Sequence, residues 1–271
     1  MLMSCGSEPK RLCRFLLQSC LDQGVQLHNP AIALSVSTDA RDELASVRVG
    51  HTLDSTETDI PCTRLVITAG AWSPQVFKTL FQHSGYSLPV TSLAGHSLIV
   101  RSPAWNLHST DPAKEPCYAL FSTMGEGFSP EMISRLGGEI YIAGVNSSTL
   151  PLPKLPGEAQ VLETEMAKLR VVADELVAVS GEEGEKGELE VVREAVCFRP
   201  VTPAGRPLLL RLSDEKLGIN ISTRPGSEGG VFVAAGHGPW GISLSLGTGK
   251  VMAEMIQGRE LSADVGALGS I

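Results

Sequence analysis

Residues 231–241 read VFVAAGHGPWG, an apolar run that leads directly into a glycine-rich turn. The run predicts a buried strand, and the turn opens a predicted helix that ends at Gly258. The turn matches the dinucleotide pattern GxGxxG, but that fingerprint opens a βαβ unit with a second parallel strand and an acidic residue roughly 20 positions later. Only one helix and a short tail follow here. Two interpretations therefore stay open: an anion-binding helix N-terminus, or an ordinary strand-to-helix turn.

A second apolar run lies upstream, where residues 64–70 read RLVITAG. Such a run is typical of a strand that is buried on both faces of a parallel sheet, with its C-terminal end at a ligand crevice. Before it, apolar residues recur at helical spacing over 8–23, which predicts a helix packed on one face. Residues 31–36 and 46–53 alternate and predict two strands of a meander.

The pattern changes at about residue 86, where short alternating runs begin to be separated by Pro, Gly and Ser. They predict an antiparallel sheet, accompanied by an amphipathic helix over 157–180. A further strand is predicted over 217–222. The expected architecture is an α/β (α+β) fold with two domains. One is discontinuous, from 1–85 and 200–271, and the other is the antiparallel segment 86–199.

Composition narrows the function classes. The formal net charge of -8 argues against nucleic acid as a partner, because phosphate binding needs a basic surface. The six cysteines have neither disulfide-framework nor zinc-site spacing, which favours reduced intracellular thiols. No apolar run reaches the roughly 18–20 residues of a membrane span. We therefore expect a cytoplasmic protein without integral membrane contact, and its oligomeric state stays open.

Three segments carry a resemblance to a known family. LVITAGAWS at 65–73 resembles the "VV-A-G-AW-S" segment of the FAD-dependent D-amino-acid oxidase (DAO) superfamily, which includes glycine oxidase and sarcosine oxidases. CFRPVTPAGRP at 197–207 is similar to its "RP-x-T-P-D-G-x-P" strand and turn, and 231–241 resembles its last strand and "GHG-x-x-G" turn. The segments follow the family's order. The resemblance implies an incomplete FAD-binding Rossmann-like domain, an antiparallel-sheet substrate domain, and oxidation of the C–N bond of an amine or amino acid.

The resemblance also implies which residues contact FAD. The backbone at 32–33 would face adenine, and the small residues at 69–71 would pass near adenosine and pyrophosphate. The glycine turn would direct N–H groups of Gly238, Trp240 and Gly241 at the negative charge that develops on the flavin. The predicted cofactor-binding residues are Ile32, Ala33, Ala69, Gly70, Ala71, Gly236, His237, Gly238, Trp240 and Gly241.

Individual side chains keep alternative interpretations. Arg199 matches the family position that holds a substrate carboxylate, and the alternative is a structural ion pair. Cys197 matches the covalent flavin link of one sarcosine-oxidase branch, whereas a small buried thiol is the favoured interpretation. A structural role is favoured for His237 over that of a base, and Trp240 is expected either in the substrate pocket or in the core. His96 has no partner that the sequence identifies.

Two departures from the family leave the function open. Ala204 replaces the usual aspartate of the T-P-D-G turn, and no stretch matches the family's first strand, GxGxxG turn, helix and acidic residue. One hypothesis is a truncated FAD-dependent oxidoreductase acting on an amine or amino acid. The other is a non-catalytic remnant of the same fold that serves as an interaction module. The sequence does not decide whether this chain is itself an enzyme.

Overall fold

The computed structural model describes residues 9–102, 117–125, 129–135, 137–180 and 185–269. The helices in these ranges are α1 (Pro9–Asp22), α2 (Ser73–Leu80), α3 (Glu163–Leu176) and α4 (Gly241–Ile256). The strands are β1 (Ala31–Thr38), β2 (Leu44–His51), β3 (Glu57–Pro61), β4 (Arg64–Ile67), β5 (Thr91–Arg101), β6 (Ala119–Phe121), β7 (Glu131–Arg135), β8 (Glu139–Ser147), β9 (Val179–Ser180), β10 (Glu185–Lys186), β11 (Glu190–Val201), β12 (Leu208–Leu212) and β13 (Gly230–Ala235). The predicted mixed α/β class is confirmed.

The chain divides into two compact units. The parallel-strand unit comprises Ser19–Ser92 and Arg199–Ile271, and the antiparallel unit comprises Met1–Gln18 and Leu93–Phe198. Each unit draws on two separate stretches of sequence, so the tertiary fold brings distant segments together. The assignment of one part to cofactor binding and the other to substrate binding stays a prediction.

Strand β13 is the centre of the parallel-strand unit. It pairs antiparallel with β12 on one side and parallel with β4 on the other, with Val233 opposite Ile67. One face packs in a cluster with Phe77 of α2, and the other face packs through Phe232 against Val251 of α4. Cover on both faces and a strand on each edge bury every residue of β13.

The prediction that 64–70 is a strand buried on both faces is wrong. Strand β4 ends at Ile67, which is its one buried residue, and the side chain of Val66 is 38% exposed. Among the described residues β4 has a strand neighbour on one edge only, namely β13. An apolar run indicates a strand suited to burial, but neighbouring elements decide how much of it is covered.

The same unit contains a three-stranded antiparallel meander. The two strands predicted over 31–36 and 46–53 are confirmed as β1 and β2, and β3 continues the sheet. The strand predicted over 217–222 is wrong. Leu217 is fully buried whereas Ile219, which would share its face in a strand, is 79% exposed. Asn220 then adopts a left-handed backbone (φ 62°), which ends any extended run.

The antiparallel unit is built on a five-stranded sheet with the order β11-β5-β8-β7-β6, so the predicted antiparallel sheet is confirmed. Met166 and Leu169 of α3 pack in one core with Leu98 and Ile142 of the sheet. The helix is shorter than the predicted 157–180 segment. Its N-terminal part forms a separate 3-10 turn, and α3 begins only at Glu163.

Helix α1 confirms the predicted helix over 8–23 but not its packing. No residue of α1 is buried, and Leu16 and Leu17 are 37% and 43% exposed. Helical periodicity identifies the face that is suited to burial, but it carries no information about what covers that face.

Candidate functional site

Two of the predicted segments meet at one edge of the sheet in the parallel-strand unit. Because β4 and β13 are parallel, their C-terminal ends lie at the same edge. Beyond β4 the chain turns through Gly70 (φ 57°) into a 3-10 helix and α2. Beyond β13 it turns through Gly236 (φ 82°) into α4. Ligands of open α/β sheets bind outside the carboxyl ends of such strands.

The third segment joins this edge through Thr202, which follows β11. A Cβ atom on Gly236 would lie 2.5 Å from Cγ2 of Thr202, so the threonine methyl group packs directly on the glycine. Thr202 is buried, and its hydroxyl donates to the carbonyl of Arg206 at 2.6 Å. The Gly205 N–H donates back to the Thr202 carbonyl at 3.0 Å. The 202–206 turn and the 236–241 turn therefore form one packed structure.

His237 is held from inside helix α4. Its Nε2 atom lies 3.0 Å from Oγ1 of Thr248, at hydrogen-bond distance. The ring is half-buried, and this burial lowers the pKa of His237 below its ordinary value. A neutral ring with a fixed hydrogen-bond partner supports the structural interpretation of this histidine.

The predicted set of free N–H groups needs one correction. The Trp240 N–H donates to the carbonyl of His237 at 3.1 Å, because residues 238–240 form a 3-10 turn. It is therefore not available to a ligand. Gly238 and Gly241 stay as the candidate donors at the start of α4, where the helix dipole favours negative charge.

The side chains at the start of α4 are exposed. Trp240 is 54% exposed, so the core interpretation of this residue is wrong. Ile242 and Leu246 are 51% and 64% exposed, whereas Val251 and Met252 in the second half of the helix are buried. The exposed half forms an apolar surface beside the 236–241 turn.

Arg199 lies in β11, three residues before Thr202, and is neither fully exposed nor buried. Its place in the chain therefore puts it just before the packed turns. Ala204, at the position where the family has an aspartate, is exposed in the turn after β11. The substrate-binding role of Arg199 stays a prediction.

The predicted adenine-facing residues lie on the meander. Ile32 and Ala33 belong to β1, opposite Gly50 and Val49 of β2. Ile32 is 41% exposed, whereas Ala33 packs against the core. Strand β1 packs against α2, the helix that begins just after Gly70. The predicted adenine-facing strand β1 and the 65–73 segment are thus connected through α2.

Two residues of the antiparallel unit differ from expectation. Cys197 is exposed, so the buried-thiol interpretation is wrong, and its Sγ donates to the Gly95 carbonyl at 3.6 Å. His96 is fully buried and does have a partner: the Leu162 N–H, just before α3, donates to its Nε2 at 3.1 Å. Long-range contacts of this kind leave no local signal in the sequence.

Two further residues of the site were not singled out from the sequence. Thr248 lies eleven positions from His237 and gives no signal that predicts their contact. Ser73 opens α2 and is fully buried, and its hydroxyl has no hydrogen-bond partner among the described residues. Ser73 belongs to the quoted 65–73 segment, which is the one available clue.

The family is shown by comparison with known proteins. The model of the FAD dependent oxidoreductase family (DAO) matches residues 2–255. The chain belongs to this family. A putative oxidoreductase of Schizosaccharomyces pombe is 28% identical over 232 residues, which is 85% of this chain and 50% of the relative.

Solved structures share the fold. The glycine oxidase of Geobacillus kaustophilus matches with a TM-score of 0.62 and 22% identity, over 95% of this chain and 56% of that one. The iminodiacetate oxidase of Chelativorans sp. matches with a TM-score of 0.65 and 16% identity, over 95% and 57%. This DAO-family chain thus spans about half the length of the relatives that it matches.

The residues present fit one part of an FAD site. The crevice edge at Gly70 is open, with no atom within 4 Å of where a Cβ would lie, and Gly238 and Gly241 are partly exposed. Among the described residues no cluster of His, Cys, Asp and Glu could hold a metal ion. None of the helices described is long and apolar enough to span a bilayer.

Proposed function

We propose that this DAO-family chain supplies the flavin-ring side of an FAD-dependent oxidoreductase that oxidises the C–N bond of an amine or amino acid. The observation that carries the proposal is the packing of Thr202 on Gly236, which joins two family segments beside the C-terminal ends of β4 and β13. When bound, FAD would accept the hydride from the carbon next to nitrogen.

The chain's own groups have complementary tasks in this proposal. The Gly238 and Gly241 N–H groups would stabilise negative charge on the flavin ring, as an oxyanion hole does. Gly70 and the adjacent small residues would admit the ADP part close to the backbone. Arg199 would hold a substrate carboxylate and so orient the Cα–H bond.

Relatives support an amino-acid substrate. A D-amino acid dehydrogenase of Bradyrhizobium diazoefficiens is 26% identical over 75% of this chain and 38% of the relative. The glycine oxidase of Geobacillus kaustophilus is also 26% identical, over 82% of this chain and 48% of the relative. Both names denote proteins that act on an amino acid with a free carboxylate, the group that an arginine binds best.

The remaining ADP contacts would come from a segment that this sequence does not contain. We therefore expect the chain alone to bind FAD weakly or not at all, because no GxGxxG turn follows a first strand. Absorbance in the flavin bands of the purified chain measures this directly. Stoichiometric FAD in the isolated chain would contradict our division of the site.

The activity itself is tested in a version with a strand–turn–helix segment restored. We expect glycine or a D-amino acid to bleach its flavin absorbance in the absence of oxygen. A restored protein that binds FAD and is reduced by no amine or amino acid would overturn the proposed function.

Arg199→Lys tests the substrate contact in the restored protein. An ammonium cannot provide the planar fork of a guanidinium, so kcat/KM should fall about thirtyfold or more while flavin content is unchanged. Arg193→Lys, in the exposed part of β11, is the matched control. Full activity of Arg199→Lys would make Arg199 structural, and joint loss of flavin and activity would place it in the FAD site or the fold.

The second candidate function is a non-catalytic interaction module. The absence of any buried residue in α1 favours it, because such a helix has an apolar face available to a partner. A monomeric chain that melts cooperatively and gains no flavin on restoration would support this alternative.

A further inference from the structure

The 236–241 turn is held from two sides by threonines that lie far apart in sequence. From one side, the Thr202 methyl group packs on Gly236, where an added Cβ would approach to 2.5 Å. From the other side, Oγ1 of Thr248 lies 3.0 Å from Nε2 of His237. The two residues that are held, Gly236 and His237, are adjacent in the chain, so both contacts act on the start of the turn.

The geometry of α4 explains how Thr248 reaches the turn. Gly241 and Thr248 are seven residues apart, which places them on one face of the helix. A Cβ on Gly241 would lie 3.8 Å from Cβ of His237, so the histidine side chain begins directly against this face. Because Gly241 has no side chain, no atom at that position separates His237 from the helix face that carries Thr248.

We propose that Thr248 and Thr202 are positioning residues that set the 236–241 turn, through His237 and Gly236 respectively, so that Gly238 and Gly241 present their N–H groups to a flavin. The role toward flavin depends on the function proposed above. The fixing of the turn rests on contacts between residues of this chain.

The two contacts act on different groups. Thr248 fixes the orientation of the imidazole ring through a hydrogen bond to Nε2 that its hydroxyl can form with either neutral tautomer. Thr202 excludes any shift of Gly236 toward it, and its own hydroxyl is fixed by the Arg206 carbonyl. Loss of either contact should let the turn rotate without unfolding α4, whose second half stays packed through Val251 and Met252.

Nitrogen-15 NMR of the His237 side chain in the chain as it stands is the first measurement. We expect the Nε2 resonance of the wild type to shift in Thr248→Val, which loses the hydrogen bond, and to recover in Thr248→Ser, which restores the hydroxyl. Backbone amide shifts of Gly238 and Gly241 should follow the same order. Thr202→Ser, which removes the methyl group, should shift these amides more than Thr202→Val, which keeps a methyl group but loses the bond to the Arg206 carbonyl. The matched control is Thr79→Val, which removes a helix hydroxyl that bonds the Gln75 carbonyl.

Lumiflavin, a flavin ring without ADP, is the second probe, followed by quenching of its fluorescence. We expect Thr248→Val and Thr202→Ser to raise its Kd about three- to tenfold, the range for one lost hydrogen bond or contact. A His237 spectrum and amide shifts that do not respond to these variants would overturn the positioning role. If NMR responds as expected but the wild-type chain binds no lumiflavin, positioning of the turn holds and the proposed function fails.

Discussion

Strands β13 and β4 run side by side in one sheet, yet they differ in burial. Every residue of β13 is buried, whereas β4 has one buried residue and exposes more than a third of Val66. Both are apolar runs that end in a glycine turn, so sequence alone makes them look alike. The difference comes from neighbours: β13 has a strand on each edge, and β4 has one among the residues described.

Helix α4 repeats the contrast along its own length. Its second half is buried against β12 and β13, while Leu244 and Leu246 in the first half are exposed. The free edge of β4 and the exposed half of α4 belong to the same unit. Among the described residues, both leave apolar side chains of this unit exposed.

Alanine substitutions at the two turn glycines should give the largest difference in free energy of unfolding. Gly236→Ala combines a left-handed backbone with overlap against Thr202, so we expect a loss of about 2–5 kcal/mol in free energy of unfolding. Gly70→Ala has the same kind of backbone but free space, and should lose about 1–2 kcal/mol. Urea denaturation measures both. Addition of Thr202→Ser should recover part of the Gly236→Ala loss, and equal losses at both glycines would break the comparison.

Matched valines test the strands themselves. Val233 is fully buried, so Val233→Ala should lower the free energy of unfolding by about 2–3 kcal/mol. Val66→Ala should cost about 1 kcal/mol or less in this chain, because much of that side chain is already in water. In a version with an added N-terminal strand–turn–helix segment, the cost at Val66 should rise toward that at Val233. An unchanged cost would show that no strand adds at this edge.

The exposed apolar surface should make the chain bind a hydrophobic dye and associate with itself. Val66→Lys and Leu246→Lys should reduce both effects while the free energy of unfolding changes by about 1 kcal/mol or less. Leu53→Lys is the control, because Leu53 is 84% exposed on the loop between β2 and β3, away from this surface. An equal reduction by the control would mean that general charge, not the location, is responsible.

His96 makes the free energy of unfolding depend on pH, so these stabilities have to be compared at one pH. Burial lowers its pKa below the ordinary 6.5, Glu165 partly opposes this, and Lys168 adds to it. Protonation is therefore easier in the unfolded chain. Stability should be fully retained above pH 6.5 and should fall as the pH drops from there toward the lower pKa of the folded state.

His96→Gln removes the titration, so its unfolding free energy should depend less on pH below 6.5 than that of the wild type. The same variant keeps an oxygen that can accept the Leu162 N–H. Identical pH profiles for the two proteins would show that His96 does not titrate differently on folding.

Much of the fold could be predicted from local pattern. Alternation predicted the meander and the antiparallel sheet, and helical periodicity located α1 and α3, because side-chain spacing follows directly from backbone geometry. The family segments at 65–73, 197–207 and 231–241 could also be recognised from their residues and order.

Burial and contacts were decided by tertiary structure. The exposure of Val66, Cys197 and Trp240 depends on which elements lie beside them, and no local pattern encodes that. The same holds for the pairing of His237 with Thr248. The sequence by itself determined most of the secondary structure, the family and the glycine turns, since these depend on residues close together in the chain. Only the tertiary structure placed Thr202 on Gly236, because that contact joins segments whose spacing in the chain sets no distance in space.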